Sequence, residues 1–380
     1  MKILLIPDSF KGSLSSKEVA EALKRGLKKV LRKTEIEIKP FADGGEGFVE
    51  ALYYSIGGKL KRKEVTSPLI NRKTRGKYLL WKDYAVIEMA QASGLNLLKR
   101  EEYAPLYTTT KGTGELIRDA IERGIKKIIL GLGGSATVDF GAGILSQLGI
   151  KLLDRNGKEI QPSGGFLNRI RRIEFEEFYK KIKNKIEFII ASDVKNPLLG
   201  KEGAVNAYAP QKGAGPREIK ILNKNFEYFA NFIKREYKID VGSFKGGGAA
   251  GGISAGLKAF FKNIKIKSGG KLFFELTGLD KKINQYDILI TGEGKIDRQT
   301  LKGKAVKVVL DFAKKYNNKK VIAVCGCLEN GFEQLYKMGI WHIEPILNCP
   351  MTLEESMKNA RKLLELTGIR IGFLLKNTIL

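Results

Sequence analysis

Short apolar runs that lead into glycine-rich loops with acidic residues recur near both ends of the chain. In the carboxyl-terminal part, the apolar run 288–290 precedes segment 291–304, which contains glycines, lysines and the acids Glu293 and Asp297. Apolar residues then recur at helical spacing from Ala305 onward. A strand, a glycine loop and a helix make one βα unit, in which ligands gather beyond the carboxyl end of the strand. Because acids would repel a phosphate unless a cation or proton lay between them, this stretch indicates metal-assisted phosphate chemistry.

The amino-terminal segment has the same organisation. An apolar strand over residues 3–6 leads into the loop 7–13, and an amphipathic helix follows. Ser15 and Glu18 have the spacing of a capping box at the start of that helix. A second strand then ends in the acidic, glycine-containing loop 40–47. The opening of the chain is therefore predicted to consist of βα units as well.

In the middle of the chain, the spacing of apolar residues changes to one typical of strands. From about Lys59 to Met89, short strands separated by turn residues favour antiparallel pairing, with the first strand at 65–69. Because the opening and closing units look alike, we predict an α/β protein in which a Rossmann-like, doubly wound parallel sheet combines both chain ends. The predicted domains are the discontinuous Rossmann-like domain 1–58 and 280–380 and an inserted α/β domain with a mixed sheet, 59–279.

The composition is that of a soluble globular protein. The 380 residues are 43% hydrophobic and 29% charged, and a chain of this length is expected to form two domains. The formal net charge is +27, because lysines and arginines are scattered over nearly every predicted helix. A nucleic-acid-binding surface would place them in a stripe interleaved with aromatic residues, and the sequence has no such stripe. We therefore expect no nucleic-acid partner, but a positive field that attracts small anions.

The cysteines and the amino-terminus indicate a cytoplasmic protein without a membrane partner. Cys325, Cys327 and Cys349 are odd in number and contain no C-x-x-C pair, which argues against a disulfide framework and a zinc site. The amino-terminal apolar run is too short for a signal peptide, and no run approaches the length of a membrane span. His342 is the only histidine and lies next to Trp341 in a predicted strand, so we interpret it as structural and expect neither a histidine-centred triad nor most zinc chemistry.

A dinucleotide-binding motif leaves a second enzyme class open. Residues 131–136 match G-x-G-x-x-A between a strand and a helix, and Asp154 lies at the spacing of a ribose carboxylate. These features keep open a NAD-dependent dehydrogenase of a small hydroxy acid. Against it, Asp139 at the start of the following helix would repel a pyrophosphate. A Walker A loop is absent, since Arg298 and Ala305 stand where that motif requires glycine and a hydroxyl.

Several predicted strands end in loops that combine an acid with glycine, lysine or serine. Phosphoryl transfer to an alcohol needs lysines or backbone amides for the phosphate charge, a metal held by acids or nucleotide, and an acid that receives the hydroxyl proton. These loops together contain every part. The alternative, that a strand-end acid only caps a helix or forms a turn, is reasonable for any one of them. The acids concerned are Asp8, Asp43, Glu46, Asp139, Asp193, Glu293 and Asp297.

Nine short motifs that cover most of the chain resemble, in the same order, those of the type I glycerate kinases. This bacterial family phosphorylates glycerate with ATP. Each motif alone is weak, but nine in the family order are highly specific. The motifs are residues 7–12, 42–47, 88–95, 110–115, 131–139, 193–198, 211–214, 248–252 and 291–304.

The resemblance implies a fold, a reaction and cofactors. It implies a Rossmann-like domain and a second α/β domain with the site in the cleft, ATP and Mg²⁺ as cofactors, and glycerate as the small-molecule substrate. It favours 2-phosphoglycerate as the product, and it leaves a homodimer open.

The same hypothesis assigns roles to individual residues. Asp193 is the first choice for the general base, because it ends a buried strand without an adjacent basic partner that would keep it weakly basic. Asp297 is the second choice, and Lys11 is expected to face the phosphates or the glycerate carboxylate. The remaining expectations are substrate binding by Asp8, Ser9, Ser135 and Asp139, nucleotide binding by Gly292, Glu293, Gly294, Lys304, Gly248 and Gly251, and metal binding by Asp43 and Glu46.

Overall fold

The computed structural model describes residues 1–298, 300–316 and 320–378, without the side chain of Lys302. The strands in these residues are β1 (Lys2–Leu5), β2 (Glu35–Ile38), β3 (Lys59–Thr66), β4 (Lys73–Trp81), β5 (Tyr84–Glu88), β6 (Lys127–Gly131), β7 (Ile150–Leu153), β8 (Arg172–Phe175), β9 (Glu187–Ala191), β10 (Asn263–Lys267), β11 (Ile288–Ile296), β12 (Lys320–Leu328) and β13 (His342–Pro345). The α-helices are α1 (Ser16–Val30), α2 (Phe48–Ile56), α3 (Ala90–Ser93), α4 (Lys111–Glu122), α5 (Ala142–Gln147), α6 (Glu177–Ile182), α7 (Ala204–Tyr208), α8 (Pro216–Tyr237), α9 (Ile253–Phe260), α10 (Gly269–Thr277), α11 (Leu279–Lys282), α12 (Ala305–Lys314), α13 (Glu333–Lys337) and α14 (Leu353–Thr378).

Two compact units divide the chain. The first consists of residues 1–43, 50–57 and 270–380, and the second consists of residues 44–49 and 58–269. The domain boundaries predicted after residues 58 and 279 stay a prediction. Within the described residues, no helix is long and apolar enough to cross a membrane.

The first unit is built on a parallel sheet with a reversal in its strand order. Its five strands lie in the order β13-β12-β11-β1-β2, and every neighbouring pair is parallel. Counted in chain order within the unit, this is the order 2-1-3-4-5 of a doubly wound sheet, with its switch point between β1 and β11. The predicted Rossmann-like parallel sheet is confirmed, and the two strands at its switch point come from distant parts of the chain.

Helices α1 and α14 cover this sheet and approach each other closely. The predicted capping box is present, since the Glu18 N–H donates to Ser15 Oγ at 3.3 Å and the Ser15 N–H donates to the Glu18 carboxylate at 3.0 Å. A Cβ added at Gly26 of α1 would lie 2.0 Å from the carbonyl oxygen of Glu365 in α14. Leucines and isoleucines from both helices and from the sheet form the core of the unit.

Strand β11 is longer than the sequence pattern indicates. The sequence predicts a glycine loop directly after residue 290, but β11 continues through Glu293 to Ile296 and pairs with β12 up to Leu328. A Cβ at Gly292 would lie 2.4 Å from the carbonyl oxygen of Val324. Gly292 therefore serves close strand packing, and the predicted loop at this position is wrong.

The second unit contains a mixed sheet, as predicted. Its six strands lie in the order β10-β9-β6-β5-β4-β3. Strands β3, β4 and β5 pair antiparallel, whereas β5, β6, β9 and β10 pair parallel. The antiparallel pairing after Lys59 is confirmed, but the first strand spans Lys59–Thr66 and the predicted strand at 65–69 is wrong. A separate antiparallel pair, β7 and β8, completes the strands of this unit.

Candidate functional site

A cavity of about 410 Å³ lies at the carboxyl ends of the strands of the first unit. Its lining includes the loops after β1 and β2, the last residues of β11 and β12, and the segment that joins β13 to α14. The neighbours at its centre, β1 and β11, are the strands of the switch point. In doubly wound sheets, this is where ligands bind, because the connections diverge there and leave a crevice. The polar side chains that line it are Asp8, Ser9, Lys11, Ser13, Asp43, Glu293, Lys295, Lys304 and Ser356.

Three carboxyl groups in this lining influence one another. Burial and the neighbouring charge of Asp43 raise the pKa of Asp8 well above its ordinary value, and Glu293 acts in the same direction. Burial also raises the pKa of Glu293, although Lys304 opposes this shift. Oε1 of Glu293 is buried and has no hydrogen-bond partner within the described part of the chain. Three partly desolvated acids of like charge favour a bound cation or proton.

Lysines lie beside these acids. Lys304 Nζ is 3.3 Å from Glu293 Oε2 and 3.8 Å from Asp297 Oδ1. Lys295 Nζ is 3.9 Å from Asp297 Oδ2, and Lys11 is an exposed residue of the cavity lining. Asp297 also accepts the backbone N–H of Thr300 at 3.2 Å. The cavity therefore combines ammonium groups that can contact an anion with carboxylates that can contact a cation.

The carboxylates of the cavity suit a metal that is also bound by substrate phosphates, but not a metal held by protein side chains alone. Among residues 1–298, 300–316 and 320–378, no group of three or more His, Cys, Asp or Glu side chains has an arrangement that could hold a metal ion. Mg²⁺, however, is usually held by one or two carboxylates together with substrate phosphates and water. Asp8, Asp43 and the unpartnered oxygen of Glu293 supply carboxylates of that kind. Glu46, the other predicted metal ligand, belongs to the second unit and accepts a hydrogen bond from Asn96 at 3.4 Å.

The predicted glycines of the first unit have different surroundings. Gly294 lines the cavity, and a Cβ there would meet Phe10 Cα at 3.5 Å, an ordinary contact. Gly292 instead contacts β12, as described above. Ser9 lies in the lining next to Asp8, whose Oδ1 accepts the Ser9 N–H at 2.7 Å. The cavity thus brings together most residues predicted from the loops after β1 and within β11.

In the second unit, Asp139 is a buried structural acceptor. It accepts the N–H and the hydroxyl of Thr110 at 2.8 and 2.7 Å, and the N–H groups of Gly141 and Gly143 at 3.0 and 3.2 Å. Burial raises its pKa, while these hydrogen bonds oppose the shift. The carboxylate joins the start of α4 to the start of α5. Substrate binding by Asp139 stays a prediction, although protein donors already surround its oxygens.

Ser135 contacts a lysine that the sequence did not single out. Lys212 is 2% exposed, and its Nζ donates to Ser135 Oγ at 2.6 Å and to the carbonyl oxygen of Thr137 at 2.7 Å. Burial lowers the pKa of Lys212 to about 7, and the charge of Asp139 opposes this change. The motif 211–214 contained the residue, but a lysine in a polar loop gave no signal of burial.

Asp193 follows β9 in the second unit. Its Oδ2 accepts the backbone N–H of Gly269 at 3.3 Å. The nearby run 246–256 is buried and tightly packed: Cβ atoms at Gly248 and Gly251 would each lie 2.4 Å from a carbonyl oxygen, that of Pro197 and that of Thr137. Nucleotide binding by these two glycines stays a prediction, but close backbone packing already accounts for glycine at both positions.

The G-x-G segment also has a structural explanation. A Cβ at Gly131 would lie 2.6 Å from the carbonyl oxygen of Gly44, and one at Gly133 would lie 2.4 Å from Gly45 Cα. Asp154 is half-buried, and its Oδ1 accepts the N–H groups of Asn156 and Lys158 within its own turn. The dinucleotide motif is thus explained by packing and turn formation.

Comparison with known proteins shows similarity to glycerate kinases over nearly the whole chain. The model of the glycerate kinase family matches residues 3–376. The chain is 40% identical over 365 residues to a glycerate kinase of Halalkalibacterium halodurans, covering 96% of this chain and 95% of that protein. It is 41% identical over 362 residues to a glycerate 2-kinase of Escherichia coli, covering 95% and 94%. A crystal structure described as glycerate kinase 2 from Salmonella typhimurium is similar with a TM-score of 0.85 and 39% identity, covering 99% of this chain and 98% of that one.

Proposed function

Since the chain belongs to the glycerate kinase family and is a kinase, we propose that it transfers the γ-phosphate of ATP to the 2-hydroxyl of glycerate. The observation that carries this proposal is the cavity at the switch point, where three lysines and three carboxylates line one space. The name of the Escherichia coli relative, glycerate 2-kinase, supports 2-phosphoglycerate as the product.

Lys11, Lys295 and Lys304 are proposed to contact the phosphates of ATP. Phosphoryl transfer develops little new covalent chemistry on the protein, so catalysis depends on positioning and on compensation of the phosphate charge. Lys304 Nζ lies 3.3 Å from Glu293 Oε2 and 3.8 Å from Asp297 Oδ1. These acids orient the ammonium group, and a phosphate entering the cavity would be an additional partner for it.

One or two of the carboxylates Asp8, Asp43 and Glu293 are proposed to hold Mg²⁺ together with the phosphates. When bound, Mg²⁺ would neutralise charge on the phosphate oxygens. The residues themselves support this role, since Glu293 Oε1 is buried without a hydrogen-bond partner in the described residues and the pKa of Asp8 is raised by burial and by the charge of Asp43. Their mutual repulsion would fall when a divalent cation binds.

Asp193 is proposed as the acceptor of the hydroxyl proton. Asp297 has two lysines within 4 Å, at 3.8 and 3.9 Å, which fits a role in positioning these ammonium groups. Asp193 Oδ2 accepts the backbone N–H of Gly269 at 3.3 Å. Asp193 stays the first choice because it follows the buried strand β9, and Asp297 stays the second.

A coupled assay tests the function. We expect the purified protein to form ADP from ATP and Mg²⁺ when glycerate is added, and phosphorus NMR of the product to show 2-phosphoglycerate. Omission of glycerate is the control for ATP hydrolysis. ADP formation at the same rate without glycerate would contradict glycerate as the phosphate acceptor. A 3-phosphoglycerate signal would contradict transfer to the 2-hydroxyl. Reduction of NAD with glycerate and no ADP would instead support the dehydrogenase alternative.

Asparagine variants separate the two candidate bases. We expect Asp193→Asn to lower kcat by about 10²–10⁴-fold, the usual contribution of a general base. Asp297→Asn is expected to keep kcat much closer to that of the unchanged protein, because its role is to position Lys304 and Lys295. Steady-state rates at saturating ATP and glycerate give the comparison. Near-normal kcat in Asp193→Asn would remove Asp193 as the base.

A further inference from the structure

One wall of the switch-point cavity is apolar. Leu347, which follows β13, and Leu353, the first residue of α14, line it together with Met351 and Met357. Leu353 is 76% exposed and Leu347 is 41% exposed, which places both among the exposed large apolar side chains of the described residues. Apolar side chains that converge on a cavity mark a binding surface for an apolar group. We call these four residues the apolar wall.

The apolar wall is held against the polar part of the cavity by the loop after β1. Ser13 Oγ donates to the carbonyl oxygen of Met357 at 2.8 Å. Gly12 adopts a positive φ of +76, and a Cβ there would lie 3.0 Å from Met357 Cε. The same loop carries Asp8 and Lys11 into the polar part of the lining. Ionic and apolar surfaces therefore adjoin in one cavity.

The size and the two-part character of this cavity define the class of ligand. Its volume of about 410 Å³ lies within the range of about 300–1,000 Å³ that holds drug-sized molecules. Glycerate is a small polar acid with little apolar surface for the wall. A molecule with a polyanionic end and a flat apolar end has matching surfaces for both parts. We propose that the apolar wall binds the base of the nucleoside triphosphate, which rests on the proposed function of ATP as phosphate donor.

Cysteines provide a test on the unmodified protein. Cys327 is exposed and lines the cavity. Cys349 is exposed but is not one of the described lining residues, and it serves as the internal control. Cys325 is buried, and burial raises its pKa to about 12, so that it reacts slowly. Alkylation by iodoacetamide, followed by mass spectrometry of the peptides, reports the rate at each site.

Three probes distinguish the two ends of a nucleotide. ATP, adenosine and inorganic tripolyphosphate are added separately, each in the presence of Mg²⁺. We expect ATP and adenosine to slow the alkylation of Cys327 and to leave the rate at Cys349 unchanged. Equal alkylation of Cys327 with and without saturating adenosine would overturn the proposal, since adenosine carries the base without the phosphates.

Variants of the wall assign the effect to its leucines. Leu347→Ser and Leu353→Ser are expected to raise the adenosine concentration needed for half-maximal protection by about tenfold, the loss expected for one leucine contact. Protection by tripolyphosphate should not change. Phe373→Ser, which removes an apolar residue that is 51% exposed on the same helix α14, is the matched control and should resemble the unchanged protein. Unaltered adenosine protection in both leucine variants would overturn the role of the wall.

The steady-state assay separates this proposal from the proposed function. In the leucine variants we expect a higher KM for ATP with little change in kcat or in the KM for glycerate. A rise in the KM for glycerate instead would assign the wall to glycerate and overturn the proposal. Absence of ADP formation in the unchanged protein would contradict the proposed function, while adenosine protection that depends on the leucines would still support a base subsite.

Discussion

Lys212 illustrates how the surroundings of one residue alter its chemistry. Its ammonium group is enclosed in the second unit and contacts the Ser135 hydroxyl and the Thr137 carbonyl. Charge burial is costly when it is only partly compensated, and the pKa falls as a result. In a sequence, Gln211-Lys212-Gly213 resembles any polar turn. The burial of this lysine is a tertiary property, and so is its contact with a residue 77 positions away.

The lowered pKa predicts how stability depends on pH. The folded pKa is about 7, below the ordinary 10.5, so between these values the unfolded chain binds more protons and the free energy of unfolding rises with pH. The full cost of burying the charge applies below pH 7. We expect urea unfolding to show that the stability of the unchanged protein, relative to Lys212→Met, rises between those two pH values by several kcal/mol, at about 1.4 kcal/mol per pKa unit.

The control for this measurement is Lys224→Met, which removes an exposed lysine of α8. Its stability is expected to run parallel to that of the unchanged protein at every pH. If the difference between the unchanged protein and Lys212→Met were constant over the same range, the burial of a charged Lys212 would be contradicted.

At the scale of elements, the sequence predicts a helix start correctly but not a strand end that depends on pairing with another strand. The capping box at Ser15 and Glu18 marked the start of α1, because its hydrogen bonds join residues three positions apart. The end of β11 was missed, because residues 291–296 are strand only through their register with β12. Glycines at 292 and 294 favour a loop in isolation. Pairing to a neighbouring strand overrides that local preference.

The close crossing of α1 and α14 predicts that a glycine-to-alanine change in α1 destabilises the protein, although such a change ordinarily stabilises a helix. Alanine within a helix is ordinarily more stable than glycine by about 1 kcal/mol. At Gly26, however, the added methyl group would lie 2.0 Å from the Glu365 carbonyl oxygen. We expect Gly26→Ala to destabilise the protein by about 1–3 kcal/mol, the cost of overpacking, as measured by chemical unfolding.

Lys17→Ala, at an exposed position of the same helix, is the control and should change stability by less than about 0.5 kcal/mol. A more stable Gly26→Ala variant would mean that helix propensity dominates and that the two helices are not in close contact at this residue.

At the scale of the whole molecule, the net charge of +27 has a consequence for binding. A positive field attracts anionic ligands, and salt shortens its range from about 30 Å at 0.01 M to about 10 Å at 0.1 M. We expect kcat/KM for ATP to fall several-fold over this increase in salt. Half-maximal protection of Cys327 by adenosine, which is uncharged, is the control and should change little. Equal salt dependence of both would contradict electrostatic attraction.

The sequence by itself determined the family, the parallel and mixed sheets, and the set of acids and lysines in the strand-end loops, because these depend on local patterns and on motif order. Only the tertiary structure decided which of these residues share a space. Strands β1 and β11 are adjacent although their paired residues Ile3 and Ile288 are 285 positions apart in the chain. That pairing brings Asp8 and Lys11 to Glu293 and Lys304, and the turn into α14 adds an apolar wall that no motif marked. Contacts between distant segments are fixed by packing and strand register, which no local sequence pattern contains.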